Sequence, residues 1–153
     1  MSRLEITDLS VQYNRRLAVR AIDIAVKDGM IGCLLGPSGC GKTTVLRAIA
    51  GFVEPDSGTI KIGEQVVSRV GAALPTDQRG VGMVFQDFAL FPHLNAANNI
   101  GFGLRSWNTR DRQTRIDELL ELVGLLELSQ AYPHEMSGGE QQRIALARAM
   151  APR

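Results

Sequence analysis

Only two cysteines, Cys33 and Cys40, occur among the 153 residues, and their spacing matches no metal or redox pair. They are expected to be one buried thiol and one small loop residue, with nothing to indicate an oxidising compartment. Neither sign of charge is in excess: 17 basic residues face 16 acidic ones, for a formal net charge of +1. Such a balance lays down no broad electrostatic footprint, so no nucleic-acid partner is expected. Long apolar runs are missing as well. Stretches such as "MIGCLLG" (30–36) fall far short of the roughly 20 residues a spanning helix needs. The start, "MSRLEITDLSVQY", alternates apolar and charged residues and has no signal-peptide core. Repeats and low-complexity linkers are absent, and the chain is expected to be soluble and cytoplasmic.

What is present is an ordinary globular composition, 44% hydrophobic and 22% charged, which rules out a disordered tail. "RLEITD" (3–8) and "AIDIAV" (21–26) alternate as half-buried strands do. "IGCLLG" (31–36) and "GVGMVFQ" (80–86) are continuous apolar runs of the kind buried on both faces of a parallel sheet. "TTVLRAIAG" predicts a short helix stopped by Gly51, and "PDSGTIKIGEQVV" a hairpin. From about residue 110 the period becomes helical, with Ile116, Leu119, Leu120 and Val123 on one face and Gly124 just past the helix. Ser137 opens a last helix with apolar residues on most sides, among them Ile144, Leu146 and Met150, which wants cover on more than one face.

Between a buried-type strand and a helix lies "GPSGCGKTT", which fits G-x-x-x-x-G-K-[ST]. Gly36, Gly39 and Gly41 let the backbone wrap closely, so that N–H groups converge with those of Pro37–Thr44 loop neighbours Ser38 and Cys40. The helix starting near Lys42 adds its partial positive charge. Lys42 then reaches the outer phosphates, the Thr43 hydroxyl ligates Mg²⁺, and Thr44 adds a second hydroxyl. The expected ligand is a nucleotide. The loop alone does not choose among kinases, GTPases and motor ATPases.

Two further stretches, "VGMVFQDFALFPHLNAANNI" and "MSGGEQQRIALARA", follow the loop in order. Together the three resemble the ATP-binding subunit of ATP-binding-cassette (ABC) importers, most closely the ferric-iron group, over residues 3–153. The resemblance implies an α/β P-loop NTPase fold with an N-terminal antiparallel β region and a helical subdomain. It implies an ATP-binding core over residues 1–87 and a helical subdomain with the signature motif over 88–153. The cofactors implied are ATP and Mg²⁺. The partners are a transmembrane permease subunit and a second ATP-binding subunit, on the inner face of the membrane.

Site roles also follow from the resemblance. Tyr13 matches the aromatic that stacks on adenine, the alternative being a strand residue packed in the sheet. Gln86 matches the loop glutamine that contacts Mg²⁺ and the attacking water. Ser137, Gly138, Gly139 and Glu140 match the signature turn that closes over the γ-phosphate held by the other subunit. Met136 stands for the usual leucine and Glu140 for the usual glutamine. Ser137 with Glu140 is also a plain S-x-x-E capping box. Glu140 is expected to turn partly toward the triphosphate and weaken dimerisation. "LFPHL" (90–94) is either permease-facing apolar surface or a locally packed loop. His93 and His134 are expected to be structural, Trp107 a packed or half-exposed aromatic, and Arg143 and Arg148 solvated or helix-end charges.

The family's next strand ends in an aspartate that holds Mg²⁺ and a glutamate that polarises water, and a later histidine contacts the γ-phosphate. None of the three has a counterpart in these 153 residues. No catalytic residue is therefore assigned, and the expectation is an N-terminal, destabilised portion of one ABC domain, ending before the Walker B strand, that binds ATP without hydrolysing it. A non-hydrolysing interaction module is the alternative. A soluble kinase or GTPase needs neither "SGGEQQR" nor "VFQD".

Overall fold

The computed structural model describes residues 4–152. Arg3, where the first strand was expected to begin, and Arg153 lie outside the described residues. Two compact units divide between Val81 and Gly82.

The first unit carries a five-stranded antiparallel sheet in the order β2-β1-β3-β4-β5. Its strands are β1 (Leu4–Tyr13), β2 (Arg16–Val26), β3 (Ser57–Ile62), β4 (Gln65–Arg69) and β5 (Ala72–Ala73). β1 runs longer than its alternating segment because it closes a two-residue hairpin with β2, Tyr13 facing Arg16. Asn14 and Arg15 both take positive φ, 51° and 65°, as a hairpin turn of matching twist requires. The expected β3–β4 hairpin is present, with Thr59 opposite Arg69 and Gly63 at φ 57° in the turn. Alternation, with a register shift between Ile6 and Leu9, puts Ile6, Leu9, Val11, Val19, Ile60 and Val67 into one core, where they meet Val45 and Ala48 of α1 (Lys42–Ala50). Full burial of each such side chain contributes about 1.5–3 kcal/mol, so this small core is what fixes α1.

α1 stops where expected. Gly51 adopts φ 90°, its N–H donates to Ala48 O, and the Phe52 N–H reaches Arg47 O at 2.9 Å. Arg79, only 4% exposed, completes this end by donating to Ala48 O (2.8 Å), Ile49 O (3.1 Å) and Leu74 O (2.8 Å). A Cβ on residue 51 would lie 2.6 Å from the Arg79 Nε, so glycine is needed there twice over. Burial lowers the Arg79 pKa, against the opposing pull of Glu54.

Two expected strands are not formed. Residues 31–36 and 80–86 have no regular structure, and Ile31 and Leu35 are 96% and 88% exposed. Such runs become strands only between neighbours that supply the ladder and cover both faces. No strand of the described residues pairs with either. Cys33, expected to be buried, is exposed for the same reason.

The second unit is helical: α2 (Ala96–Ile100), α3 (Thr109–Leu122) and α4 (Gly138–Met150), joined by short 3₁₀ turns. Asn108 caps α3 through its Oδ1, which accepts from the Asp111 N–H. The helical period is borne out: Ile116, Leu119 and Leu120 are buried and Gly124 takes φ 68° just beyond the helix. They pack with Ala96, Ile100, Leu104, Leu125, Met136, Ile144 and Ala147. Trp107 packs against this cluster. α4 is covered on one side only, Leu146 and Met150 remaining 47% and 40% exposed. Among the described residues, no helix is long and apolar enough to cross a membrane.

Candidate functional site

The loop from Gly36 to Thr44 joins the unpaired apolar run to α1, and residues 36–40 are exposed. Its geometry comes from glycine at the point of closest approach. Gly41 caps α1 at φ 95°, and a Cβ there would sit 2.6 Å from the Ala18 carbonyl oxygen of β2. Backbone N–H groups at the start of α1 have no helical acceptor, and its first turn holds no acidic residue. The Lys42 Nζ folds back over the loop and donates to Gly36 O (2.7 Å) and Pro37 O (2.8 Å), with the Cys40 Sγ at 3.5 Å. The Lys42 ammonium, the free donors at the start of α1 and the exposed Thr43 therefore belong to one exposed loop and helix start. That donor set suits an anion with an accompanying hard cation, and so fits a Mg²⁺-bound polyphosphate. A cavity of about 340 Å³ reaches the loop, lined by Val19, Ile22, Leu34 and Leu35 together with Gly41, Lys42 and Arg20. Tyr13, at the end of β1, is 43% exposed, so its ring is not packed away in the sheet.

In the second unit, Ser137 caps α4. Its N–H donates to Glu140 Oε2 at 2.7 Å, its hydroxyl donates to the same oxygen at 2.8 Å, and the Glu140 N–H returns to Ser137 Oγ at 3.4 Å. The capping box is closed, and the carboxylate is turned back on its own helix rather than outward. The Gln141 amide ties this turn to Pro133 O and Met136 O. Gly138 and Gly139 differ from Gly41: a Cβ on either would meet nothing within 4 Å. Helical glycine is less favourable than alanine by about 1 kcal/mol, so two of them in open space are not explained by packing within this chain.

Hydrogen bonds from the Ser137 hydroxyl and then its backbone N–H hold the Glu140 carboxyl below its ordinary pKa, with Arg143 adding a smaller push the same way. A lowered folded pKa means the cap is complete above the ordinary carboxylate range and lost as pH falls through and below it. In an acid titration by NMR, the Ser137 amide signal is expected to move with a midpoint below that of an unbonded glutamate. Glu140→Gln is expected to remove that titration; a Ser137 signal following an ordinary glutamate midpoint would show the cap to be open in solution.

Gln86 is exposed, ahead of a strained turn. Phe88 and Ala89 hold φ 59° and 46°, a left-handed conformation that disfavours each non-glycine residue by about 1–2 kcal/mol. Arg148, expected to be a solvated or helix-end charge, lies in the last turn of α4 and also donates from Nη1 to Ala89 O (2.7 Å) and from Nη2 to Phe88 O (3.0 Å). Its guanidinium lies 5.4 Å from the Phe91 ring centre, and burial lowers its pKa. Asn99, fully buried on α2, accepts from the Phe91 N–H and donates to Phe91 O, Leu94 O and Asn95 O. The "LFPHL" segment is thus pinned locally: Leu90, Phe91 and Leu94 are half-buried, with Phe91 4.2 Å from the Phe102 ring, and only Pro92 and His93 are exposed. Sequence patterning singled out neither Asn99 nor Arg79, nor the loop contacts of Arg148, because the carbonyls each one serves are set by the folded chain.

A pattern described as ABC transporter matches residues 19–153. The chain is 50% identical over 152 residues to the Fe(3+) ions import ATP-binding protein FbpC of Mesorhizobium japonicum, spanning 99% of itself and 42% of that protein. Similarity to the FbpC of Pseudomonas fluorescens is 49% over 154 residues, 43% of that protein. The chain thus spans less than half the length of these relatives. Among solved structures, the post-hydrolysis dimer of the ATP-binding cassette MJ0796 bound to ADP and Pi is 29% identical with a TM-score of 0.85, covering 97% of this chain and 69% of that one. A second dimeric MJ0796 structure gives 0.86 at 28% identity. The α/β architecture, an antiparallel sheet with helices, is that of the ABC ATPases.

Proposed function

The chain belongs to the ABC transporter family, and from that premise we propose that it is the nucleotide-binding portion of an import ATPase that takes Mg·ATP on its phosphate loop. The observation carrying this is the Lys42 ammonium folded over the loop beside the Gly41-capped start of α1, whose first turn bears the exposed Thr43. Gly36, Pro37, Ser38, Gly39, Cys40 and Gly41 wrap the phosphates, Lys42 and Thr44 contact them, and Thr43 and Gln86 hold the metal. Bound Mg²⁺ would neutralise charge on the phosphate oxygens. Tyr13 stacks on adenine, a role its exposure permits. Residues 1–87 act as the ATP-binding core and 88–153 as the signature-bearing subdomain.

Ser137, Gly138 and Gly139 face a second ATP-binding subunit. The open space around both glycines supports this, since residues without a Cβ let a partner's phosphate approach the backbone closely. Glu140 acts there as the cap of α4. The larger assembly pairs with a transmembrane permease at the inner face of the membrane and serves the uptake of ferric iron, as the names of the FbpC relatives suggest for this chain. These 153 residues bind ATP without turning it over, because no apolar strand ending in an Asp-Glu pair occurs among them.

Calorimetry and a phosphate-release assay on the 153-residue chain test both parts. Mg·ATP binding with phosphate release no greater than that of Lys42→Ala is expected. Failure to bind would overturn the nucleotide assignment, and release clearly above that background would overturn the non-hydrolysing one.

A further inference from the structure

We propose that Arg148 is a positioning residue that joins the signature helix to the glutamine loop, so that a displacement of α4 and one of Gln86 become a single event. This rests on the reading of Gln86 as a nucleotide-sensing residue. The joint itself is read from geometry.

Phe88 and Ala89, two residues beyond Gln86, turn in a left-handed conformation that neither side chain favours. Local bonds hold the turn from inside, Phe88 N–H to Phe85 O at 3.0 Å and Ala89 N–H to Asp87 O at 2.7 Å. Outward-facing carbonyls of the same two residues would otherwise be left to solvent, and the Arg148 guanidinium takes both. A planar fork with fixed donors suits two adjacent carbonyls, and a lysine ammonium does not reproduce it. The same group lies beside the Phe91 ring.

Arg148 belongs to the helix that Ser137 caps. A residue eleven positions on, at 100° per residue, returns to nearly the same helix face about 16 Å along the axis. α4 is therefore a rigid lever with the signature turn at one end and the turn after Gln86 at the other. On its far side the loop is secured independently: Asn99 holds the Phe91 N–H at 2.9 Å and Leu94 O at 2.9 Å. Loss of Arg148 should free residues 87–90 while leaving 91–95 in place. A side chain needed only for stability would loosen the whole unit.

The test compares the chain with Arg148→Met and Arg148→Lys. Without nucleotide, amide exchange at Phe88 and Ala89 is expected to accelerate about tenfold in Arg148→Met and by less in Arg148→Lys. Exchange at Phe91 and at Ile144–Ala147 should stay within about threefold. With Mg·ATP, NMR shifts at Ser137–Gln141 are expected in the wild-type chain and to fall to under about a third in Arg148→Met, with ATP affinity within about threefold by calorimetry. Unchanged exchange at Phe88 and Ala89, or equal acceleration throughout α4, would overturn the proposal. So would a full signature-turn response to Mg·ATP in Arg148→Met. A wild-type chain that binds no Mg·ATP would sink the nucleotide reading instead, and exchange at Phe88 and Ala89 would still decide whether Arg148 is the joint.

Discussion

Replacing Lys42 by alanine is expected to remove Mg·ATP binding from the measurable range. The Nζ bonds to Gly36 O and Pro37 O at 2.7 and 2.8 Å, so the ammonium both closes the loop and supplies a full positive charge at its centre. Hydrogen bonds to charged groups contribute about 1.5–3 kcal/mol each, and 1.4 kcal/mol is a tenfold change in affinity. Loss of two such contacts to phosphate oxygens weakens binding by about 100-fold or more. Folding should survive, because α1 is anchored by Val45, Ala48 and Ala50 and by Arg79 at its far end, and Lys42 is not part of that packing. Calorimetry on both forms, with circular dichroism to verify the fold, makes the measurement. Equal ATP affinity would show that the loop is a glycine turn without a phosphate role.

How much of this was legible depends on the distance between a residue and its reason. The phosphate loop, the Gly51 stop, the Gly63 hairpin and the Ser137–Glu140 box each have their determinants within a few residues, so pattern alone locates them. The Asn14–Arg15 turn is local too, yet it was missed because arginine at φ 65° is no turn signal. The runs at 31–36 and 80–86 fail for another reason. Their composition encodes burial between neighbours, and no described strand supplies it. Arg148 bonds to carbonyls 59 and 60 positions away, Arg79 to carbonyls 30 and 31 away, and no periodicity carries that information. The Glu140 side chain was expected to turn partly outward; the closed box favours the capping alternative, since two hydrogen bonds bind its carboxylate to Ser137.

Asn99→Leu is expected to lower the stability of the second unit by about 3–5 kcal/mol, a large share of the 5–15 kcal/mol typical of a whole domain. Asn99 is fully buried, and its amide satisfies the Phe91 N–H and O together with Leu94 O and Asn95 O. Leucine fills similar space but leaves polar groups stranded, at about 1–3 kcal/mol each where water does not reach them. Asn95 O and Phe91 O are the exceptions, because they keep the Asn99 N–H at 2.8 Å and the Leu94 N–H at 3.1 Å. That leaves the Phe91 N–H and Leu94 O as the groups that decide the result. Asn99→Asp should be worse at neutral pH: its carboxylate keeps the Phe91 N–H but turns a negative charge on carbonyl oxygens, of which Leu94 O now receives no donor. Trp107, the chain's single tryptophan, packs against this unit's core, so urea unfolding followed by its fluorescence reports the right transition. A midpoint for Asn99→Leu within about 1 kcal/mol of wild type would mean that solvent enters behind the loop and replaces the amide.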